Sequence, residues 1–443
     1  MERNHPPRPH PLRLGPRPLP QHLSLAAATW LNSGAILPAL KLGSQSWAQP
    51  DAKSPMPPES PSPNPPNPDP KSLGDPRESL RNRWRDLLAE VETAEPGALA
   101  GALQAEGLRR FDQLLAGVEK YRRHPQSRSL TEAPTLWREG TTRLLDYRQA
   151  RDPKAPRLLV IPSLVNRYYI LDLEKDASFL RWSAAQGFAP FVMDWGSPGA
   201  EERGFGFTDY VAGRLERALD VVKRESGGPI FVIGYCMGGN LALALSLRRQ
   251  AEIAGLILLA TPWDFHAENK DHSLMLAEIG RNLEPVLQLF GELPVDILQC
   301  FFSGFDPFQV LRKFQNFAGA DPDSSGAKKF VALEDWLNDG MAVSASVARE
   351  CLTGWYGDNI TARGEWKIGG APVLPQNFAQ PALCVIPAGD RIVPPKSALA
   401  LADALPKGER ILPSAGHIGM MAGSKARPLV WEPMAQWVRE RAG

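Results

Sequence analysis

The segment PIFVIGYCMGGNLALALSLRR (229–249) decides the fold of this chain. Its first part is a continuous apolar run typical of a buried strand, and its last part is rich in Leu and Ala, as a buried helix is. Between them, Gly234, Gly238 and Gly239 surround Cys236. A sharp strand-to-helix turn that presents one side chain needs small residues on both sides of it. The segment therefore predicts a nucleophile elbow with cysteine as the nucleophile.

Strand-like runs alternate with helical segments from Leu158 onward. Near-continuous apolar runs separated by helices indicate a mostly parallel central sheet with helices on both faces. We expect strands at RLLVIPS (157–163), FAPFVMDW (188–195), PIFVIGY (229–235), IAGLILLA (253–260), ALCVIPAG (382–389) and ERILPS (409–414). The interval of about 262–380 interrupts this alternation and is rich in Phe, Leu and Trp, so we expect a mainly helical cap insertion there. With the elbow, this pattern predicts an α/β protein of the α/β-hydrolase fold.

The partners of the cysteine follow from chain order. In this fold the nucleophile, the acid and the histidine come in that order, each on a loop after a strand. Asp390 directly follows ALCVIPAG, and His417 lies just after ERILPS. Cys236, Asp390 and His417 thus form a candidate triad, in which His417 takes the thiol proton. Asp390 either orients the imidazole or assists the incoming hydroxyl through it. The plain alternatives are a buried structural cysteine and a turn-forming aspartate before Pro394.

The helix after the elbow should also assist the chemistry. A helix N-terminus favours a thiolate at Cys236, and the Met237 backbone N–H points towards the developing oxyanion. The second donor of the oxyanion hole is expected from PSLVNRYY (162–169), at Leu164 or Val165. Within that stretch, Asn166 is either a polar wall residue or part of a plain turn. Two further histidines early in the insertion, His266 and His272, are interpreted as surface or core polar residues.

The chain before residue 131 differs in composition from the rest. Residues 1–22 hold seven prolines and four arginines, and residues 50–76 hold eleven prolines. We expect residues 1–76 to be a partly disordered tail and proline-rich linker with one short apolar helix. That helix docks on the main domain or lies on an apolar surface, and a secretory signal is the weaker alternative. Residues 77–130 should form a helical segment and residues 131–443 the catalytic domain.

The overall composition excludes several classes of protein. The net charge of +1 gives no general attraction to nucleic acid, and 43% apolar with 22% charged residues is the balance of a globular protein. No apolar run reaches the length of a membrane span. We expect no metal site. Four cysteines without paired spacing fit a reducing cytoplasm better than a disulfide scaffold: Cys236, Cys300, Cys351 and Cys384.

Three stretches resemble the poly(3-hydroxyalkanoate) synthases: the region from IPSLVNRYYILDLEKD to GFGFTDYV (161–211), GYCMGGN around the elbow, and GHIGMMAGSKA (416–426). The resemblance covers roughly residues 135–440 and is closest to the class whose short catalytic subunit works with a second, non-catalytic subunit. Cys236, Asp390 and His417 fall on the triad positions of that family.

The resemblance implies an activity and its partners. The enzyme would polymerise (R)-3-hydroxyacyl-CoA into polyester through a cysteinyl thioester, releasing CoA and needing no cofactor beyond its substrate. It would act in the cytoplasm, associated with the growing polyester chain and the granule surface. The resemblance leaves open a homodimer and a second synthase subunit. The N-terminal region of about 150 residues is longer than in the short catalytic subunits, which puts dependence on a second subunit in doubt.

Two other functions stay open at this point. One is a hydrolase on the same triad, either an acyl-CoA thioesterase or a polyester depolymerase or esterase. The other is a non-catalytic granule-associated protein, against which the complete triad argues. A synthase must keep water from its acyl-enzyme, so an apolar cap is expected. Five aromatic residues are candidates to line that cap, with the alternative that most of them form its core: Phe301, Phe302, Phe305, Trp336 and Trp355.

Overall fold

The computed structural model describes residues 13–32 and 76–443 of the chain. These residues form two compact units. The first contains Tyr121–Val310 and Ala320–Gly443 together with Met1–Pro18, of which residues 13–18 are described. The second contains Leu19–Lys120 and Leu311–Gly319. The expected linker, residues 50–76, lies almost entirely outside the described residues.

An eight-stranded sheet forms the core of the first unit. Its strands are β1 (Thr135–Glu139), β2 (Thr142–Asp146), β3 (Arg157–Ile161), β6 (Ala189–Asp194), β7 (Ile230–Tyr235), β8 (Gly255–Leu259), β13 (Ala382–Val385) and β14 (Gly408–Ile411). The spatial order is β1-β2-β6-β3-β7-β8-β13-β14. All neighbours pair in parallel except β1 with β2 and β2 with β6. The sequence did not predict the antiparallel β1–β2 hairpin.

Short strands pair outside the central sheet: β4 (Asp172–Glu174) with β5 (Ala177–Ser178), β9 (Glu292–Leu293) with β10 (Val343–Ser344), and β11 (Lys367–Ile368) with β12 (Ala371–Pro372). The helices are α1 (Leu19–Ala26), α2 (Pro76–Thr93), α3 (Pro96–Arg123), α4 (Phe179–Ala185), α5 (Glu216–Arg224), α6 (Met237–Arg248), α7 (Lys270–Asn282), α8 (Glu284–Phe290), α9 (Val295–Gly304), α10 (Gln309–Ala318), α11 (Ser325–Asn338), α12 (Ala345–Arg349), α13 (Pro395–Ala404), α14 (Gly419–Ala422) and α15 (Glu432–Ala442). Within the part of the chain that the structure describes, four π-helical segments join or extend these helices: Ala27–Leu31, Asp209–Leu215, Glu350–Gly357 and Arg427–Trp431.

The inner strands of the central sheet are buried on both faces, whereas the edge strands β1 and β14 are partly exposed. Along β7, Ile230 and Val232 belong to one apolar core cluster, whereas Phe231 and Ile233 belong to another. Alternate side chains of a strand point to opposite faces, so both faces of β7 are packed. The helices α7 to α12 make the insertion mainly helical. The fold class predicted from the sequence is confirmed.

The described part of the N-terminal tail is held to the insertion within the first unit. The Arg13 guanidinium donates to both carboxylate oxygens of Asp335 on α11, with the Nη2–Oδ2 distance at 2.9 Å. The Arg17 backbone N–H donates to Asn338 Oδ1 at 2.7 Å, and its guanidinium pairs with Asp296 on α9 at 2.8 Å. Residues 13–18 are therefore tied to two helices of the insertion.

In the second unit, α10 packs on α3. A Cβ on Gly117 would lie 1.9 Å from the backbone oxygen of Phe314, so only glycine permits this approach. Lys120 Nζ donates to the Ala318 carbonyl at 3.1 Å, and the Gln315 side chain donates to the Arg110 carbonyl at 3.1 Å.

Among residues 13–32 and 76–443, no helix is both long and apolar enough to cross a bilayer.

Candidate active site

Cys236 occupies the sharp turn between β7 and α6. Its backbone has φ +56° and ψ −129°, a conformation that non-glycine residues rarely adopt. The Cys236 N–H donates to the Leu259 carbonyl of β8 at 2.8 Å, and its carbonyl accepts from the Gly239 N–H at 2.8 Å. The strained turn is held by backbone bonds on both sides, as a nucleophile elbow requires.

The three glycines of the elbow are sterically necessary. A Cβ on Gly234 would lie 2.4 Å from the Gly239 Cα, and one on Gly238 would lie 2.2 Å from the Ile161 carbonyl oxygen. A Cβ on Gly239 would lie 1.9 Å from the Thr261 hydroxyl oxygen. These separations are shorter than van der Waals contact, so any side chain here would displace the strand or the helix.

The other two candidate triad residues come together beside the cysteine. His417 Nδ1 donates to Asp390 Oδ2 at 2.7 Å, and the His417 side chain hydrogen-bonds the Cys236 thiol. The second Asp390 oxygen, Oδ1, accepts the backbone N–H groups of Ile392 and Val393, each at 2.9 Å. The Asp390 side chain is fully buried and that of His417 is 9% exposed. Asp390 is therefore fixed in one orientation, with one oxygen facing the imidazole.

Two opposing effects set the pKa of His417. Burial by itself lowers the pKa of the imidazole, because a buried cation loses its hydration. The negative charge on Cys236 and the hydrogen bonds with Asp390 and Cys236 outweigh burial and raise the pKa to about 10. The imidazole thus holds its proton at neutral pH, and a protonated imidazole beside Cys236 favours the thiolate, which is the reactive form of a cysteine nucleophile.

A cavity of about 420 Å³ opens onto Cys236. Ser163, Val165 and Met237 line it from the core side. Most of its remaining wall comes from the insertion and is largely apolar: Leu276, Leu293, Leu298, Phe301, Phe302, Phe305, Val343, Leu352 and Trp355. Four of the five aromatic residues expected to line the cap therefore do so. Trp336 does not: it is buried in the second core cluster, where its indole N–H donates to the Arg167 carbonyl at 2.8 Å.

Part of the cavity wall is polar, which the sequence did not predict. Asp264, Glu268, Asn269, His272 and Arg391 line it there. Within this set, His272 was expected only as a surface or core residue. His266, the other early histidine, was also expected to be a surface or core polar residue. Its ring nitrogen Nε2 hydrogen-bonds the Tyr356 backbone carbonyl at 2.9 Å. The sequence analysis assigned no site to this polar part of the wall, although four of its five residues lie within 264–272.

A second thiol, Cys351, also lines the cavity. Burial is the main cause that raises the pKa of the Cys351 thiol well above its ordinary value, and the charges of Glu350 and Cys236 add to it. A protonated thiol is a poor nucleophile. Cys351 is therefore not a competitor to Cys236 for attack on a substrate.

The predicted oxyanion-hole segments lie beside the nucleophile. Met237 is the first residue of α6, where backbone N–H groups have no partner within the helix. The Val165 N–H donates to Ser163 Oγ at 3.3 Å, and the Leu164 side chain is buried in the larger core cluster. Asn166 forms an isolated bridge with Gly340 of the insertion.

Among the residues that the structure describes, no group of His, Cys, Asp or Glu is placed to hold a metal ion.

Comparison with known protein families gives two matches. The model of the alpha/beta hydrolase fold matches residues 158–424. The model described as the N-terminus of poly-beta-hydroxybutyrate polymerase (PhaC) matches residues 126–183.

Several curated proteins are similar to this chain. The poly(3-hydroxyalkanoate) polymerase subunit PhaC of Haloferax mediterranei is 27% identical over 321 residues, which cover 70% of this chain and 64% of that protein. The subunit of the same name from Allochromatium vinosum is 26% identical over 308 residues, covering 68% and 86%. That of Cupriavidus necator is 35% identical over 143 residues, covering 31% and 24%. The match thus spans less than two thirds of the Haloferax protein.

Proposed function

Because this chain belongs to the α/β-hydrolase fold family, and because its nucleophile is a cysteine under an apolar insertion, we propose that it is a poly(3-hydroxyalkanoate) synthase. It polymerises (R)-3-hydroxyacyl-CoA into polyester and releases CoA. The observation that carries this proposal is the Cys236–His417–Asp390 arrangement, in which Cys236 lines the cavity. The similarity to proteins named poly(3-hydroxyalkanoate) polymerase supports the choice of substrate.

A cysteine nucleophile suits a thioester substrate. Attack of the Cys236 thiolate on the acyl-CoA carbonyl exchanges one thioester for another, so the acyl group changes carrier with little change in free energy. The negative charge that develops on the carbonyl oxygen lies near the start of α6, where the Met237 N–H and the helix dipole stabilise it. We propose a second donor from Leu164 or Val165. The bond from the Val165 N–H to Ser163 is long, at 3.3 Å, so a substrate oxyanion could replace it.

His417 moves the protons of both half-reactions. When the first tetrahedral intermediate collapses, the C–S bond to CoA breaks, and the imidazolium gives its proton to the departing CoA thiolate. In the second half-reaction the neutral imidazole accepts the proton of a 3-hydroxyl group, whose oxygen attacks the Cys236 thioester. The C–S bond to Cys236 then breaks, the ester forms, and the thiolate–imidazolium pair is restored. Asp390 holds the imidazole in the required tautomer throughout.

The second half-reaction requires that water be kept from the acyl-enzyme. Water would release a free hydroxy acid, whereas a hydroxyl group gives an ester and lengthens the chain. The apolar wall formed by Phe301, Phe302, Phe305 and Trp355 supports exclusion of water from the thioester. Each transfer from thioester to oxygen ester is downhill, so repeated elongation needs no other energy source.

A hydrolase on the same triad is the second candidate, and the polar part of the cavity wall favours it. The side chains of Asp264, Glu268 and His272 line the cavity there and could hold water. The two functions differ in their product, since a synthase yields polyester and a hydrolase yields one free acid for each CoA released.

The test is to incubate the purified full-length chain with (R)-3-hydroxybutyryl-CoA, following CoA release together with the mass of the acyl product. We expect CoA release accompanied by high-mass polyester. Cys236→Ala should abolish both, whereas the control Cys300→Ala, at an exposed cysteine of α9, should retain both. Free 3-hydroxybutyrate in amounts equal to the CoA released would contradict the synthase and support the hydrolase.

We also propose that the reaction needs no resident cofactor or metal, and that the enzyme works in the cytoplasm at the surface of polyester granules. A homodimer or a second synthase subunit is compatible with this proposal. Size-exclusion chromatography with light scattering, before and after substrate addition, measures whether the chain works alone.

A further inference from the structure

Tyr235, the residue before the nucleophile, contacts His417 in two ways. Its ring stacks on the imidazole, with ring centroids 5.2 Å apart and planes inclined by 25°. Its hydroxyl donates to the His417 backbone carbonyl at 3.0 Å. The tyrosine is 3% exposed, so both contacts are shielded from water. One side chain therefore touches both the ring and the backbone of the candidate catalytic histidine.

These contacts supply a restraint that Asp390 does not. The bond from His417 Nδ1 to Asp390 fixes the rotation of the ring about its own axis. It does not fix the backbone of the loop between β14 and α14, on which His417 lies. Tyr235 ends β7, a central strand paired on both sides, and the next residue is Cys236. Its hydroxyl thus ties the histidine backbone to the same rigid strand that carries the thiol.

The tyrosine can act only as a donor in this position. Burial is the main cause that raises the pKa of Tyr235 well above its ordinary value, and the charges of Cys236 and Asp390 add to it. The hydroxyl therefore stays protonated at every pH at which the enzyme would work. Its bond to the His417 carbonyl persists whether the imidazole is neutral or charged.

We propose that Tyr235 is a positioning residue that holds the His417 imidazole within hydrogen-bonding distance of the Cys236 sulfur. The proposal rests on the proposed roles of Cys236 and His417, but not on the identity of the acyl acceptor. Loss of the hydroxyl would let the histidine loop move, so that the imidazole would assist the thiol for a smaller fraction of the time.

The test measures alkylation of Cys236 by iodoacetamide from pH 6 to 10.5, with the alkylated residue identified by peptide mass. In Tyr235→Phe, which removes only the hydroxyl, we expect alkylation at pH 7 to fall about three- to tenfold, the range expected for one hydrogen bond. Above about pH 9, where unassisted thiols ionise, the variant and the wild type should converge. The matched control is Tyr147→Phe, which removes another buried hydroxyl, one that donates to Asp172 at 2.8 Å. This control should alkylate like the wild type.

A double-mutant cycle separates positioning from a general effect on the fold. In a His417→Ala background there is no imidazole to position, so adding Tyr235→Phe should leave the alkylation rate unchanged. The proposal is overturned by an unchanged rate in the single variant, by an equal loss in the His417→Ala background, or by an equal loss in Tyr147→Phe. Because iodoacetamide needs no acyl substrate, a hydrolytic product in the polymerisation assay would refute the synthase while leaving this result intact.

Discussion

The Asp390→Asn substitution should reverse the direction of one hydrogen bond in the active site. Asp390 Oδ1 accepts two backbone N–H groups at 2.9 Å, so an asparagine must keep its carbonyl oxygen at that position. Its amide nitrogen then replaces Oδ2, 2.7 Å from His417 Nδ1. An amide N–H can only donate, so Nδ1 must accept and the ring proton moves to Nε2. In that tautomer the imidazole cannot take a proton from the thiol.

Two limits bracket the effect on acylation. Loss of one charge-assisted hydrogen bond costs about 1.5–3 kcal/mol, which corresponds to roughly 10- to 150-fold in rate. A triad histidine held in the wrong tautomer lowers the rate by about 10⁴ in serine enzymes. Replacing the buried Asp390 by asparagine removes the charge-assisted hydrogen bond and also changes the tautomer of His417. We therefore expect the acylation rate to fall by about 10³-fold.

Single-turnover labelling measures this step directly. Excess enzyme is mixed with labelled (R)-3-hydroxybutyryl-CoA, quenched at short times, and the thioester on the Cys236 peptide is quantified. The matched control is Asp264→Asn, the same change at another carboxylate of the cavity, which accepts from the His266 N–H and the Asn359 side chain at 2.9 Å. The control should acylate within a few-fold of the wild type. Acylation of Asp390→Asn within tenfold of the wild type would refute the tautomer argument and assign Asp390 to activation of the incoming hydroxyl.

Three further predictions concern the nucleophile, the pH dependence and the N-terminal segment. Cys236→Ala should accept no acyl label while its thermal unfolding stays close to that of the wild type, and a labelled peptide elsewhere in a folded variant would disprove the nucleophile assignment. Because the pKa of His417 is raised from 6.5 to about 10, the imidazole keeps its extra proton at neutral pH and loses it as the pH rises through about 10. The single-turnover acylation rate should therefore decline only above about pH 9, and a decline between pH 7 and 8 would contradict the raised pKa. Arg13→Ala removes a side chain that is 11% exposed and bonded to Asp335, whereas Arg17→Ala breaks a pair with Asp296 whose side chains are 35% and 56% exposed. We expect Arg13→Ala to lower the free energy of unfolding by about 2 kcal/mol, or the melting temperature by about 2–5 °C. Arg17→Ala should lower the free energy of unfolding by less than about 1 kcal/mol. A larger loss for Arg17→Ala than for Arg13→Ala in calorimetry would refute the contacts of residues 13–18.

The contacts of Arg13 and Arg17 with the insertion also predict how N-terminal deletions affect the reaction. From the sequence alone, deletion of residues 1–76 should keep the rate within a few-fold, because every motif of the candidate site lies beyond residue 150. Arg17 pairs with Asp296 of α9, and Phe301 and Phe302 of that helix line the cavity. We therefore predict that deletion of residues 1–12 retains the wild-type rate, whereas deletion of residues 1–18 raises the fraction of free acid in the product. Equal product ratios in the two deletions would show that the segment does not influence the cavity.

The sequence by itself determined the features that depend on neighbouring residues. Six runs predicted six strands of the sheet. For five of these strands, burial on both faces demands continuous apolar sequence. The edge strand β14 was also predicted, although its residues are partly or fully exposed. The elbow could be predicted because its glycines are required within a few residues of Cys236. The order of cysteine, aspartate and histidine along the chain then selected Asp390 and His417, since in this fold each follows a strand.

The tertiary structure alone decided which distant side chains meet. Trp336 and Trp355 are both apolar residues of the insertion, yet only Trp355 lines the cavity, because the path of the helices and not composition sets which side faces Cys236. The contact of Tyr235 with His417 spans 182 residues and depends on how the loop after β14 returns to β7. The bonds of Arg13 join residues 322 apart. Such contacts follow from the packing of whole elements, which local patterns of apolar and small residues do not encode.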